Sequence, residues 1–225
     1  MKIAINGAGI AGPALAYWLL RSGNEVLLVE EAPQIRSGGY VIDFWGISYD
    51  IADKMGLIPR IRELGYQVRE VRFVDRDGHK RGGFSPDVFG RLTGGRFTSL
   101  RRSDLASILY KAIDGRVETI FGDSIAVIDH VGDKIGISFD HAAPQDVDLV
   151  IGADGLHSRV RRLVFGSDDK FEVSLGYHVA AFEVEGHYHV TSSSISAMGF
   201  QDDRYPYFPC VTIKLSSFLF SAAST

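Results

Sequence analysis

The chain has 225 residues, 24 Lys plus Arg against 28 Asp plus Glu, and a net charge of −4, so it is long enough for one large or two small domains with a real core. Its isoelectric point of about 6.0 argues against a mainly electrostatic nucleic-acid or membrane partner. A single cysteine, Cys210, excludes an internal disulfide framework and a cysteine-rich metal site, and a reducing, cytoplasmic setting fits it.

The apolar opening is interrupted by Asn6, three glycines and Pro13 and carries only Lys2 as positive charge, so it does not read as a signal peptide. No run reaches the roughly 18 apolar residues of a spanning helix. Lys2 to Asn6 reads as a short buried strand, with Ile3 and Ile5 alternating. The turn Gly7-Ala8-Gly9-Ile10-Ala11-Gly12 follows at once. Ala14, Leu15, Trp18 and Leu19 then fall at helical spacing, Pro13 sits in the first turn, and Gly23 is a natural stop. Glu25 to Val29 reads as a second buried strand, closed by Glu30 and Glu31.

Strand, glycine turn, helix, strand and acid in this order point to a dinucleotide. Gly7 lets the chain turn tightly out of the strand. Gly9 leaves room for backbone to approach a pyrophosphate, and Gly12 lets helix and strand pack closely. The helix N-terminus offers unpaired N–H groups to phosphates, and Glu30 can accept from ribose hydroxyls. This pattern alone does not separate FAD from NAD(P).

Further along, Arg36 precedes Gly38-Gly39, and Asp43 follows. Residues 47–64 carry Ile51, Met55, Leu57, Ile61 and Leu64 at roughly helical spacing. Val68 to Val74 and His79 to Phe84 read as a hairpin with Asp77-Gly78 at its tip. After the glycine-rich stretch from Gly90 to Gly95, a short strand leads into a helix carrying Leu105, Ile108, Leu109 and Ala112, with Ser103 as its cap. Val117 to Phe121 and Ser124 to His130 read as strands, the latter returning through Gly132-Asp133 into Lys134 to Phe139. Val147 to Ile151 is an apolar strand that rejoins the central sheet, followed by a turn at Asp154-Gly155 and a helix from near His157. From Phe171 onward the pattern is β.

The chain thus reads as α/β: a Rossmann-like dinucleotide-binding domain, residues 1–66 and 99–170, with an inserted β-sheet substrate layer, residues 67–98 and 171–225. In "GADGLHSRVR", Asp154 either satisfies backbone amides at a strand–turn–helix corner or serves a ligand. His187 and His189 share one strand face without a matched third ligand, so no metal site is expected. Cys210 reads as core, and the arginines of 159–162 as a solvated or cofactor-facing helix face.

Gly7 to Gly12, Glu30, Arg36, Gly38-Gly39, Asp43, Arg102-x-x-Leu105 and Asp154-Gly155-x-x-Ser158-x-x-Arg161 together resemble the class A flavoprotein monooxygenases, the para-hydroxybenzoate hydroxylase-like group. The surroundings of Arg36 and Asp43 look closest to tetracycline-inactivating and polyketide-hydroxylating members. The resemblance implies FAD, its ADP half on Gly7 to Gly12 and its ribose on Glu30. It implies Arg102 along the ribityl and pyrophosphate region, and Arg36 and Asp43 near the flavin or entering NADPH. Asp154 and Gly155 would serve both FAD and NAD(P)H, with Arg159 pairing with Asp154 or a cofactor phosphate. It further implies NAD(P)H as co-substrate, O₂, a flavin hydroperoxide and hydroxylation of an aromatic or polyketide-like molecule, with no side-chain nucleophile. The late Gly-Asp-Ala-Ala-His-like segment of that group is not found, and the resemblance fades after Tyr205, which reads as C-terminal incompleteness. A non-catalytic FAD- or ADP-binding remnant and an NAD(P)-dependent dehydrogenase are the alternatives.

Overall fold

The computed structural model describes residues 1–38, 41–65, 70–74, 79–85, 87–173, 178–182, 194–202, 205–214 and 218–223, with side chains at all of these up to 173 apart from 70–74, 84 and 89. In chain order the elements are β1 (Lys2–Asn6), α1 (Ala11–Arg21), β2 (Glu25–Glu30), β3 (Val41–Trp45), α2 (Ile47–Lys54), α3 (Ile58–Leu64), β4 (Glu70–Val74), β5 (Lys80–Phe84), α4 (Asp87–Leu92) and β6 (Phe97–Arg101). They continue with α5 (Arg102–Lys111), β7 (Glu118–Phe121), β8 (Ile125–Val131), β9 (Lys134–Phe139), β10 (Gln145–Val147), β11 (Leu149–Gly152), α6 (Arg159–Phe165), a short 3₁₀ turn (Asp168–Lys170), β12 (His178–Phe182), β13 (Ser194–Asp202), β14 (Tyr205–Lys214) and β15 (Phe218–Ala223). The chain divides into two units, Met1–Ser37 with Ser103–Val173, and Gly38–Arg102 with Ser174–Thr225. Residues 38–66, read from sequence with the nucleotide domain, group with the second unit.

The first unit is built on a four-stranded sheet in the order β11-β1-β2-β7, parallel throughout. Strand alternation sorts its side chains into two cores. Ile3, Ile5, Val26 and Leu28 pack on one face with Ala16 of α1 and with Ile113. Ala4, Leu27 and Val29 pack on the other with Ile125, Ile137, Phe139 and Val147 of the antiparallel β8-β9-β10 meander. A sheet covered on both faces needs apolar residues at nearly every position, which is why β1 and β2 read as apolar runs. Gly23 (φ +77°) ends α1 as expected. Its N–H reaches the Leu20 carbonyl at 3.0 Å and the Asn24 N–H reaches Leu19 at 3.1 Å, so the last carbonyls are satisfied.

Three sequence expectations are corrected here. The strand foreseen at Val147 to Ile151 is two strands. The Asp148 N–H donates to the Lys2 carbonyl at 2.8 Å, and its carboxylate accepts from the Lys2 N–H at 2.7 Å and from Lys134. At that residue the chain steps from the antiparallel meander into the parallel sheet. The foreseen α6 start near His157 moves to Arg159, because Ser158 is the cap and accepts from the Arg161 N–H at 3.0 Å. Ser103 is no cap, since α5 already begins at Arg102.

In the second unit, β3 pairs antiparallel with β6 from Val41↔Arg101 to Trp45↔Phe97, a strand that the sequence reading did not place. The helical stretch at 47–64 is two helices. Gly56, at φ +73°, lets its own N–H and that of Leu57 turn back onto Asp53 and Ala52, closing α2, and Pro59 opens α3. The expected hairpin appears as β4 paired with β5, within a six-stranded sheet β12-β15-β14-β13-β4-β5. Its foreseen tip at Asp77-Gly78 lies outside the described residues, as do Gly39, His187, His189 and the side chain of Cys210. Among the described residues no helix is long and apolar enough to cross a membrane.

Candidate functional site

The glycine turn is the first wall of the site. Gly7 sits at φ +110°, and a Cβ there would lie 2.5 Å from the Ala153 carbonyl oxygen. A Cβ on Gly12 would lie 1.9 Å from the Gly7 carbonyl oxygen. The first turn of α1 therefore rests directly on the turn that feeds it, which only glycine permits. No side chain caps α1 and no acidic residue stands in its first turn. The N-terminal N–H groups of this 11-residue helix carry the positive end of its dipole. Beside them Ala8 is buried, Gly9 and Ile10 are half-buried, and Ala11 is exposed.

Glu30 ends β2 and is buried. Its carboxylate accepts from the Ala8 N–H at 2.7 Å and the Ala32 N–H at 3.0 Å, and Arg36 lies 3.5 Å from Oε1. Glu30 thus grips the glycine turn itself, and each oxygen keeps a further lone pair. Arg36 also reaches the exposed Glu31, at 3.8 Å.

Asp154 follows β11. Its Oδ2 accepts from Asn6 Nδ2 at 2.9 Å, Arg159 N–H at 2.7 Å and Val160 N–H at 3.2 Å, and its Oδ1 from the Ser158 hydroxyl. Burial alone would push this carboxyl up, but the Ser158, Asn6 and Val160 donors outweigh it and hold the group below its ordinary range. Asp154 thus accepts backbone amides at the strand–turn–helix corner. Arg159 does not pair with Asp154 through its side chain. Its guanidinium takes Asp140 in a two-pronged bond, Nη2 to Oδ1 at 2.8 Å, because the α6 start turns it toward the end of β9. Arg161 and Arg162 are matched by Asp168 at 2.6 and 2.8 Å.

These pieces enclose a cleft of about 100 Å³ that includes Gly7, Glu30, Glu31, Arg36, Asp154 and Arg159 in its lining. It opens beyond the carboxyl ends of the parallel strands β1, β2 and β11, where ligands of open α/β sheets gather. Arg162, one of the arginines read as a solvated or cofactor-facing helix face, also lines it, as do Asn6, Ser124 and His157, which the sequence did not mark as site residues. For Asn6 a signal was present: a polar residue closing an apolar strand just before the glycines. Gly155 is exposed at φ +85° with open space around it, so conformation alone selects glycine there. Asp43 belongs to the second unit, where it pairs in β3 opposite Ser99 and accepts from that hydroxyl at 2.6 Å. Arg102 is the exposed first residue of α5.

No known family profile matches the chain. A flavin-dependent monooxygenase of Legionella longbeachae is 36% identical over 184 residues, 82% of this chain and 47% of that protein. Over most of its own length the chain is similar to flavin-dependent monooxygenases. An uncharacterized protein of Mycobacterium tuberculosis is 44% identical over 186 residues, 81% of this chain and 49% of that protein. Among solved structures, the tetracycline destructase Tet(51) superposes with a TM-score of 0.74 at 29% identity, over 98% of this chain and 55% of its own. Klebsiella pneumoniae HpxO, in a R204Q form complexed with FAD, shares the fold at 22% identity and a TM-score of 0.74, over 100% of this chain and 57% of its own. This flavin-dependent monooxygenase relative therefore spans about half the length of the curated proteins it matches.

Proposed function

We propose that the chain binds FAD through its ADP half, and that it forms the nucleotide-binding part of an NAD(P)H-using monooxygenase acting on an aromatic or polyketide-like small molecule. The observation that carries this reading is the uncapped N-terminus of α1 set on a turn in which Gly7 and Gly12 admit no Cβ. A pyrophosphate would supply the negative charge that the first turn lacks. The residues fit the group in a second respect. Glu30 is fixed by two backbone donors yet keeps lone pairs for ribose hydroxyls.

Bound flavin supplies the hydride and oxygen chemistry, and the protein supplies binding and orientation. Gly9, Ile10 and Ala11 would present backbone to the phosphates, Glu30 and Glu31 would face the ribose, and Arg36 would stand at the rim. Asp154 and Gly155 would hold the opposite wall in place. Asp43 and Arg102 are assigned to the flavin and ribityl side on the family resemblance. The names of the flavin-dependent relatives support FAD over a nicotinamide nucleotide as the resident ligand.

The test is a calorimetric titration of the purified chain with FAD, ADP and NADP. FAD and ADP should bind, and Gly9→Val should abolish both, because a branched side chain would enter the pyrophosphate path. Tight NADP binding without flavin affinity would overturn the assignment.

A further inference from the structure

We infer that Asn6 is the positioning residue of this cleft: its side-chain amide ties the glycine turn to the Asp154 turn and so acts on a bound nucleotide through Asp154. The functional consequence rests on the nucleotide reading above; the tie itself does not.

Asn6 closes β1 at 4% exposure, after the buried Ile3, Ala4 and Ile5. A buried amide is costly unless every strong donor and acceptor is met. Here Nδ2 donates to Asp154 Oδ2 at 2.9 Å and to Ser124 Oγ at 3.4 Å, while Oδ1 accepts from the Ile125 N–H at 3.2 Å. The Asn6 backbone carbonyl also accepts from the Ala153 N–H at 2.8 Å. One residue therefore joins β1, the start of β8 and the turn after β11. Asp154 passes the tie onward to the N–H groups of Arg159 and Val160, which open α6. On its other side Asn6 is bonded to Gly7, where a Cβ would lie 2.5 Å from the Ala153 carbonyl oxygen. Any shift of Asn6 moves both walls of the cleft.

The chemistry also explains the amide. A leucine could meet none of these groups, and a serine is too short to span Ile125 and Asp154. An aspartate has the right size but would set a second carboxylate against Asp154, and two carboxylates that close share one proton until pH rises through the raised second pKa. The charged groups around them give no relief. Glu30 and Glu31 face the cleft from the end of β2, and Asp123 precedes β8. Arg36 is matched by Glu30 and Glu31, Arg159 by Asp140, and Arg162 by Asp168. His157 contacts Glu172 at 3.1 Å.

The experiment compares wild type with Asn6→Asp in the full chain, measuring ADP affinity by calorimetry and the ligand-free melting midpoint from pH 5 to pH 8. Dividing the two Kd values at each pH removes titrations common to both proteins. In Asn6→Asp the pair shares a proton, so its pKa is raised, and the tie is present at low pH and lost as pH rises. The Kd ratio should therefore grow by about tenfold across the range, as expected when a tie worth about one pKa unit is lost, and the gap in melting midpoint should widen with it. A merely structural asparagine would lower stability and leave the ratio flat, which overturns the positioning role. If wild type binds no ADP at any pH, the nucleotide reading fails. The midpoint gap then decides the tie: widening supports it and constancy overturns it.

Discussion

Single residues in the first unit do two different kinds of work. Asp123 is almost fully buried and accepts backbone N–H groups from Ser124 at 2.8 Å, Asp140 at 2.9 Å, His141 at 3.2 Å and Ala142 at 2.7 Å. Burial raises its carboxyl, but the four donors prevail and hold it below the ordinary range. Asp123→Ala should cost about 3 kcal/mol, because the Ser124, His141 and Ala142 N–H groups lose this charged acceptor, while that of Asp140 keeps the Ser124 carbonyl at 3.2 Å; urea unfolding at pH 7 checks this. Asp123 and Asp154 are both depressed in the fold. Their contribution is therefore full above the unfolded carboxylate range and is lost as pH falls through the folded values. Unfolding free energy should be insensitive to these two groups above about pH 5 and should drop steadily below about pH 4. Glycines separate in the same way. Gly12→Ala forces a Cβ to within 1.9 Å of a backbone oxygen and should cost about 3 kcal/mol together with nucleotide affinity. Gly155→Ala meets only its positive φ and should cost about 1 kcal/mol.

At the scale of elements, α1 and α6 meet the cleft with opposite designs. The N-terminus of α1 is left open, whereas that of α6 is closed from within by Ser158 and Asp154. An open terminus suits an incoming anion; a closed one suits a wall. Ser158→Ala removes the acceptor for the Arg161 N–H and a donor to Asp154. It should cost about 1 kcal/mol. Hydrogen exchange should show faster opening of residues 159–165, with α1 unchanged. The strand β11 completes this wall by pairing with β1 in parallel from Ile3↔Leu149 to Asn6↔Gly152, which brings the Asp154 turn level with the glycine turn.

For the molecule as a whole, the first unit carries every group assigned to the ADP half, and Gly7, Glu30, Glu31, Arg36 and Asp154 among them line one cleft. Ligand contact should therefore stabilise the chain in proportion to its nucleotide portion. FAD at one hundred times its Kd should add about 2.7 kcal/mol of stability. ADP should raise the melting midpoint as well, and FMN, which lacks the adenosine, should leave it unmoved. Scanning fluorimetry with the three ligands checks this. A shift by FMN and none by ADP would place the binding groups outside this cleft.

The sequence by itself determined what short-range physics controls. Apolar alternation at Ile3, Ile5, Val26 and Leu28, the glycines at 7, 9 and 12, and the stop at Gly23 specified strand, turn, helix and strand, because each depends on neighbours within a few residues. The place of Glu30 followed from the same count. Only the tertiary structure decided what the polar side chains hold. Asn6 meets Asp154 across 148 positions and Asp123 meets Ala142 across 19, distances over which periodicity carries no information. The order β11-β1-β2-β7 creates the first of these encounters, and the pairing of β8 with β9, Ile125 opposite Phe139, creates the second. The order sets β11 against β1, and only then does a buried amide find its carboxylate. The division of Val147 to Ile151 at Asp148 and the turn of Arg159 toward Asp140 have the same cause. Each follows from where the meander leaves the sheet, since a carboxylate or guanidinium takes the partner that packing brings within hydrogen-bond reach.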